Sequence, residues 1–141
     1  MNYDPAADGW RPMPRAGLPA GLGVPWGKKT ADAWLYGLWT IDDHANVNGV
    51  LHGGVLMTFA DHGLSMLAWE AAERAPCTTI QLNTQFIDAV KPGSFLELSG
   101  EVVRRTRSLV FMRGLVGARD LTGLRDVGAV DGIWRVLRPR A

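Results

Sequence analysis

The sequence holds a single cysteine, Cys77, and no apolar run long enough to cross a bilayer. The first scarcity excludes an intramolecular disulfide and a cysteine-rich metal site. The second is measured by the longest apolar stretch, Val55 to Ala60, against the roughly 20 residues of a spanning helix. Net charge is also small: 15 Lys and Arg against 14 Asp and Glu leave +1, which gives no global pull toward nucleic acid or an anionic membrane. The N-terminus lacks the basic region and unbroken apolar run of a secretory signal, so the cytoplasm is the expected compartment.

Proline is sparse except at one end. Pro5, Pro12, Pro14, Pro19 and Pro25 are five of the eight, and they are mixed with glycines. Proline fixes φ and removes a backbone donor, so regular structure is not expected before about Lys28. Trp10 and Trp26 imply that parts of this segment still pack onto something. The reading is an arm over residues 1–30, followed by one domain over 31–141. At 47% hydrophobic residues the chain can bury a single core. Positive charge is unevenly placed: nine arginines from Arg104 onward face only Asp120, Asp126 and Asp131. That half suits an anionic ligand as well as it suits solvated strand faces.

Aromatic and branched residues predict a strand from Asp32 to Ile41, ended by the turn formers of Asp42 to Gly49. Gly53 to Arg74 is the one long helical candidate, closed by Pro76, and its first half is apolar almost all round, as in a buried helix. Thr78 to Phe86 alternates, with Ile80, Leu82 and Phe86 on one face and Thr79, Gln81, Asn83 and Gln85 on the other. After a turn at Lys91-Pro92-Gly93, three more strands are predicted at Phe95–Thr106, Leu109–Arg119 and Val127–Leu137. Their short connections make them antiparallel neighbours. The order gives an α+β domain, one long helix buried against an antiparallel sheet.

Chemistry concentrates between Asn46 and Asp61. The Gly53-Gly54 pair opens the helix, where free N–H groups and the dipole favour negative charge. Glycine also lets a ligand approach the backbone, so this end can hold the oxyanion of a thioester under attack. Asp61 lies mid-helix, where a carboxylate is costly unless it is paired, protonated or lining a cavity. Gly54, Thr58, Ser65 and Ala68 share its face, while Val55, Phe59, Met66 and Trp69 form a bulky face elsewhere. Such a small polar stripe suits a cleft wall; the alternative is an inert, hydrogen-bonded aspartate. Asn46, in the loop before the helix, can orient either the glycine turn or a substrate carbonyl.

Asn46, Leu51-His52-Gly53-Gly54 and Asp61 together resemble the hotdog thioesterase superfamily, in its PaaI-like (phenylacetate-degradation) branch, over residues 31 to 138. His62 directly after the acid and the long Pro-rich arm depart from that pattern. The resemblance implies a hotdog fold that hydrolyses acyl-CoA; no cofactor is expected. It implies that the Gly53 N–H, helped by Asn46, polarises the thioester carbonyl. Asp61 would be the nucleophile or the base that activates water, with Thr79, ahead of Ser65, holding that water. His52 would brace the glycine loop.

Geometry adds a constraint of its own. Gly53 and Asp61 are eight helical residues apart, about 12 Å at about 1.5 Å each, too far for both to serve one carbonyl. A symmetric homodimer solves this, with Gly53 and Asn46 of one subunit facing Asp61 of the other. The resemblance implies the same dimer, and its family habit extends it to a dimer of dimers. Arg104, Arg105, Arg107 and Ser108 gather at a predicted strand connection and suit the phosphates of coenzyme A. A metal site is disfavoured because no two of His44, His52 and His62 have the helical spacing of paired ligands. Cys77 beside Pro76 has no evident basic partner and is disfavoured as a nucleophile. A non-catalytic acyl-CoA-binding module would not need Asp61. A hotdog dehydratase would need a His–acid pair in a different motif.

Overall fold

The computed structural model describes residues 2–14 and 17–138. Among the described residues seven strands form one sheet: β1 (Arg11–Pro12), β2 (Trp26–Lys29), β3 (Trp34–Trp39), β4 (Cys77–Phe86), β5 (Phe95–Arg105), β6 (Leu109–Asp120) and β7 (Gly123–Val136). Every pairing is antiparallel, in the order β1-β2-β3-β5-β6-β7-β4. The long helix α1 (Gly53–Ala71) crosses one face and touches β3 through β7. This is the α+β hotdog arrangement expected from the sequence, and among the described residues it leaves β4 with one unpaired edge.

The helix is held by its inner face. Leu56, Phe59, Ala60, Leu64 and Ala68 are buried in one cluster with Leu98, Val110, Met112, Val130 and Trp134. The approach is close because Gly63 is bare: a Cβ there would lie 2.1 Å from Leu98 Cδ2. The helix stops at Ala71, three residues short of the predicted Arg74. Glu73 and Arg74 turn into the left-handed region (φ 56° and 66°), and the Arg74 N–H reaches the Trp69 carbonyl at 2.8 Å. That closing bond satisfies a carbonyl the helix would otherwise leave open. No described helix is long and apolar enough to cross a membrane.

The N-terminal segment is more ordered than its prolines suggest. Contrary to the expectation of no regular structure before Lys28, β1 and the first two residues of β2 precede that point. Pro12 is tolerated because β1 is the sheet's outermost strand, where a missing N–H interrupts no ladder. Burial supplies the driving force. Trp10 is fully buried, with its ring edge-on to Phe95 at 5.2 Å, and Tyr3, Trp26 and Trp39 also pack against Phe95. Leu98 faces the helix, so Phe95 and Glu97 point to the opposite face of the sheet. The arm therefore covers the face away from α1, where Glu97 is buried in a two-bond pair with Arg119.

Strand β4 also differs from its sequence pattern. Thr79 pairs with Trp134 and Gln81 with Ile133, so Ile80 is an extra residue, a β-bulge, and its side chain is 55% exposed. The bulge breaks the two-residue alternation. Thr79, expected on the face of Gln81 and Asn83, turns to the helix side instead, and Ile80 does not join Leu82 inside.

Candidate active site

The loop before α1 is built from its own hydrogen bonds. Asn46 Oδ1 accepts from the N–H groups of Asn48 and Val50 at 2.9 and 3.4 Å. His44 Nδ1 accepts from the Ile41 N–H, so Nε2 carries the proton and donates to the Gly21 carbonyl at 3.0 Å. Both nitrogens of His44 are thus committed to holding the loop and the arm together. Among the described residues no three His, Cys, Asp or Glu side chains gather in a metal-binding group.

His52 caps the helix: its Nδ1 accepts from the Gly54 N–H at 3.1 Å. Its carbonyl accepts from Val55 and Leu56. Of the four N–H groups that open a helix, three are satisfied, and among the described residues only that of Gly53 has no partner. Gly53 and Asn46 line the same cleft of about 440 Å³, walled by Leu51, Leu56, Phe86 and Val90. The cleft is tight over the glycine, since a Cβ at Gly53 would stand 3.1 Å from the Phe86 ring. Phe86 was not singled out in the sequence; its place in the alternation marked it only as a strand residue.

Asp61 is half-buried midway along α1, and Thr79 Oγ1 donates to its Oδ1 at 2.6 Å. The bulge at Ile80 is what aims that hydroxyl at the helix. The other small residues near Asp61 do not form one wall. Ala68 is in the core, Thr58 donates back to the Gly54 carbonyl at 2.8 Å, and Ser65 Oγ accepts from the indole N–H of Trp134 at 2.8 Å. On the adjacent flank His62 meets the edge of Tyr36, with ring centroids 6.4 Å apart, and among the described residues its buried Nε2 has no hydrogen-bond partner. Burial pulls the His62 imidazole below its ordinary value, opposed by the charge of Asp61, and pushes the Tyr36 hydroxyl up to about 12. Burial likewise raises the Cys77 thiol, whose Sγ contacts the Ala75 carbonyl.

The arginines separate into two sets. Arg113, Arg119 and Arg125 are paired with Glu101, Glu97 and Asp88. Arg104 and Arg107 are exposed around the β5–β6 turn, beside the exposed Ser108, and form no ion pair among the described residues. Arg105, grouped with them in the sequence, is turned inward: its Nη1 donates to the Ala71 carbonyl at 2.5 Å and closes the helix C-terminus. That leaves it badly placed for a phosphate. Arg138 takes its place in the cluster, donating to the Arg107 carbonyl at 2.8 Å. In the sequence it is only one of the nine C-terminal arginines, because it lies 31 residues from Arg107.

One chain therefore brings together Gly53 with Asn46, and Asp61 with Thr79, but does not bring the two pairs to one point. The family model of the thioesterase superfamily matches residues 48–122, which include Gly53, Asp61 and Thr79. The chain belongs to the thioesterase superfamily. As the sequence led us to expect, it is a thioester hydrolase by family. Human acyl-coenzyme A thioesterase 13 is 30% identical over 71 residues, 50% of this chain and 50% of its own length. The crystal structure of zebra fish thioesterase superfamily member 2 superposes with a TM-score of 0.70 at 18% identity, covering 80% of this chain and 81% of that one. The Escherichia coli PaaI protein is one structural neighbour among several, at a TM-score of 0.63 and 12% identity over 74% of this chain and 72% of its own. The thioesterase superfamily is the level of kinship established; its PaaI-like branch is not singled out.

Proposed function

We propose that this thioesterase hydrolyses acyl-CoA at a site shared by two copies of the chain, in the manner of the PaaI-like branch. The observation that carries the reading is the Thr79–Asp61 bond on a half-buried helix that begins with an unpartnered Gly53 N–H. Thr79 occupies one carboxylate oxygen and leaves the other for the chemistry. As a base, Asp61 takes a proton from water while the water oxygen attacks the thioester carbon. The oxyanion that forms is stabilised by the Gly53 N–H of the partner copy, with Asn46 beside it. The C–S bond then breaks, and the departing thiolate takes the proton from Asp61. Direct attack by Asp61, giving an anhydride that water cleaves, uses the same groups. A module that merely held acyl-CoA would need neither the carboxylate nor its hydroxyl partner.

Two further features support a two-fold homodimer. Strand β4 has a free edge, and Ile80, Phe86 and Ile87, on it and just after it, are each more than half exposed. If two α1 helices run antiparallel with the partner's Gly53 level with Asp61, Ala71 lies ten residues farther along, about 15 Å beyond the reacting carbon. That distance suits an extended pantetheine arm. Arg105 fixes the basic turn to Ala71, so Arg104, Arg107 and Arg138 would meet the coenzyme phosphates. Pairing of two such dimers into a tetramer follows the family habit.

The test is subunit mixing. Asp61→Asn should be folded and inactive, and so should a variant with Asn46 and the Gly53 turn disrupted. Co-expressed, the two should form heterodimers with one intact site and recover up to about half the activity of the parental dimer. Dead heterodimers would place donor and acid in one chain. A folded Asp61→Asn at the parental rate would remove Asp61 from the chemistry.

A further inference from the structure

We infer that Trp134 is a positioning residue for the hydrolytic water, acting through Ser65. The inference rests on the reading of Asp61 as the catalytic carboxylate. Trp134 is fully buried on β7, where its indole N–H is cut off from water. It finds an acceptor in Ser65 Oγ at 2.8 Å. The fold does not require every buried indole to be satisfied, because among the described residues Trp10 Nε1 is buried with no partner. Trp134 is also the cross-strand partner of Thr79, so one side chain lies against both hydroxyl residues near Asp61. Room for its ring comes from Gly132, where a Cβ would lie 2.9 Å from the indole.

A serine hydroxyl has one proton and two lone pairs. With a lone pair engaged by Trp134 from the sheet side, the proton of Ser65 is turned away from the core. Ser65 follows Asp61 by one helical turn, and side chains so spaced have Cβ atoms about 5–6 Å apart. A single water fits between them. It would donate to the Asp61 oxygen that Thr79 leaves free and accept from Ser65. One lone pair then remains for the thioester carbon. Without the indole N–H the Ser65 rotor is unconstrained, and its proton can turn toward the carboxylate or a helix carbonyl instead.

Trp134→Phe keeps an aromatic ring and removes the N–H. The expected result is a kcat lowered about tenfold with KM unchanged and nearly parental thermal stability. Ser65→Ala should give the same loss, and the double variant should be no worse than either single one. A folded Trp134→Phe at parental kcat overturns the inference, as do losses that add in the double variant. Should Trp134→Phe fold poorly, Ser65→Ala decides: loss of kcat at constant KM supports the water-positioning role, and parental kcat removes it. Asp61→Asn runs alongside as a control. Activity retained there would defeat the proposed function itself; loss there with parental rates in the Trp134 and Ser65 variants would defeat only this inference.

Discussion

Replacing Thr79 with valine removes one hydroxyl and keeps the shape of the side chain. The bond it deletes, Thr79 Oγ1 to Asp61 Oδ1 at 2.6 Å, is made to a group that is ionised when it acts as base. Hydrogen bonds to charged groups contribute about 1.5–3 kcal/mol. If the whole of that is felt in the transition state, kcat/KM falls by about 10- to 150-fold. Stability should change little, because valine suits a strand and the half-exposed carboxylate can recover its lost bond from water. The assay is acyl-CoA hydrolysis followed by the release of free thiol, with thermal melting as the control. Thr79→Ser restores the hydroxyl on the same backbone position and should return most of the rate. A folded Thr79→Val within twofold of the parental kcat/KM would mean that the hydroxyl only packs against Asp61, and the reasoning from the bulge to the site would fail.

Charge reversal at Arg104 and Arg107 should raise KM for acyl-CoA about tenfold or more and change kcat less than twofold, since remote phosphate contacts bind substrate and transition state alike. A KM indifferent to both the substitutions and added salt would put the coenzyme elsewhere. Arg119→Met leaves Glu97 buried without its partner and should cost about 3 kcal/mol, read by denaturant unfolding; a change below about 0.5 kcal/mol would refute it. The native His62 imidazole lies below its ordinary value of 6.5 because it is buried. Between those two values the unfolded chain binds a proton that the native chain declines, so stability should fall as the pH drops through that window. Denaturation curves of His62→Asn across the same range should be flatter, and an unchanged slope would assign the pH dependence to other groups.

The fold was legible wherever one periodicity held. The helix, the hairpin strands β5 to β7 and the turn at Lys91-Pro92-Gly93 follow from patterns that tertiary packing leaves intact. In the arm the packing of Trp10 and Trp26 was legible but its strands were not, because proline content reports lost donors and says nothing of a sheet edge that tolerates them. Within the site, Asp61 and Gly53 stood out by their chemistry in an apolar helix. Thr79 was named as a candidate, yet the alternation put it on the wrong face, because nothing local in Thr79-Ile80-Gln81 announces a bulge. Ser65 and Arg105 show the same limit. Their partners, Trp134 and the Ala71 carbonyl, lie 69 and 34 residues away, and only the assembled sheet brings them near.

The irregularity at Ile80 lets Thr79 and Leu82, an odd three positions apart, face the same side of the sheet. Deleting Ile80 alone would bring Thr79 and Leu82 to a spacing of two, so both would still face the helix, whereas keeping Ile80 and straightening the strand would turn one of them away. Substitutions at position 80 should be well tolerated, since its side chain is largely in water. A relative that lacks the extra residue keeps its hydroxyl on the helix side when it stands two positions before the residue matching Leu82, so the spacing between those two positions reports the bulge.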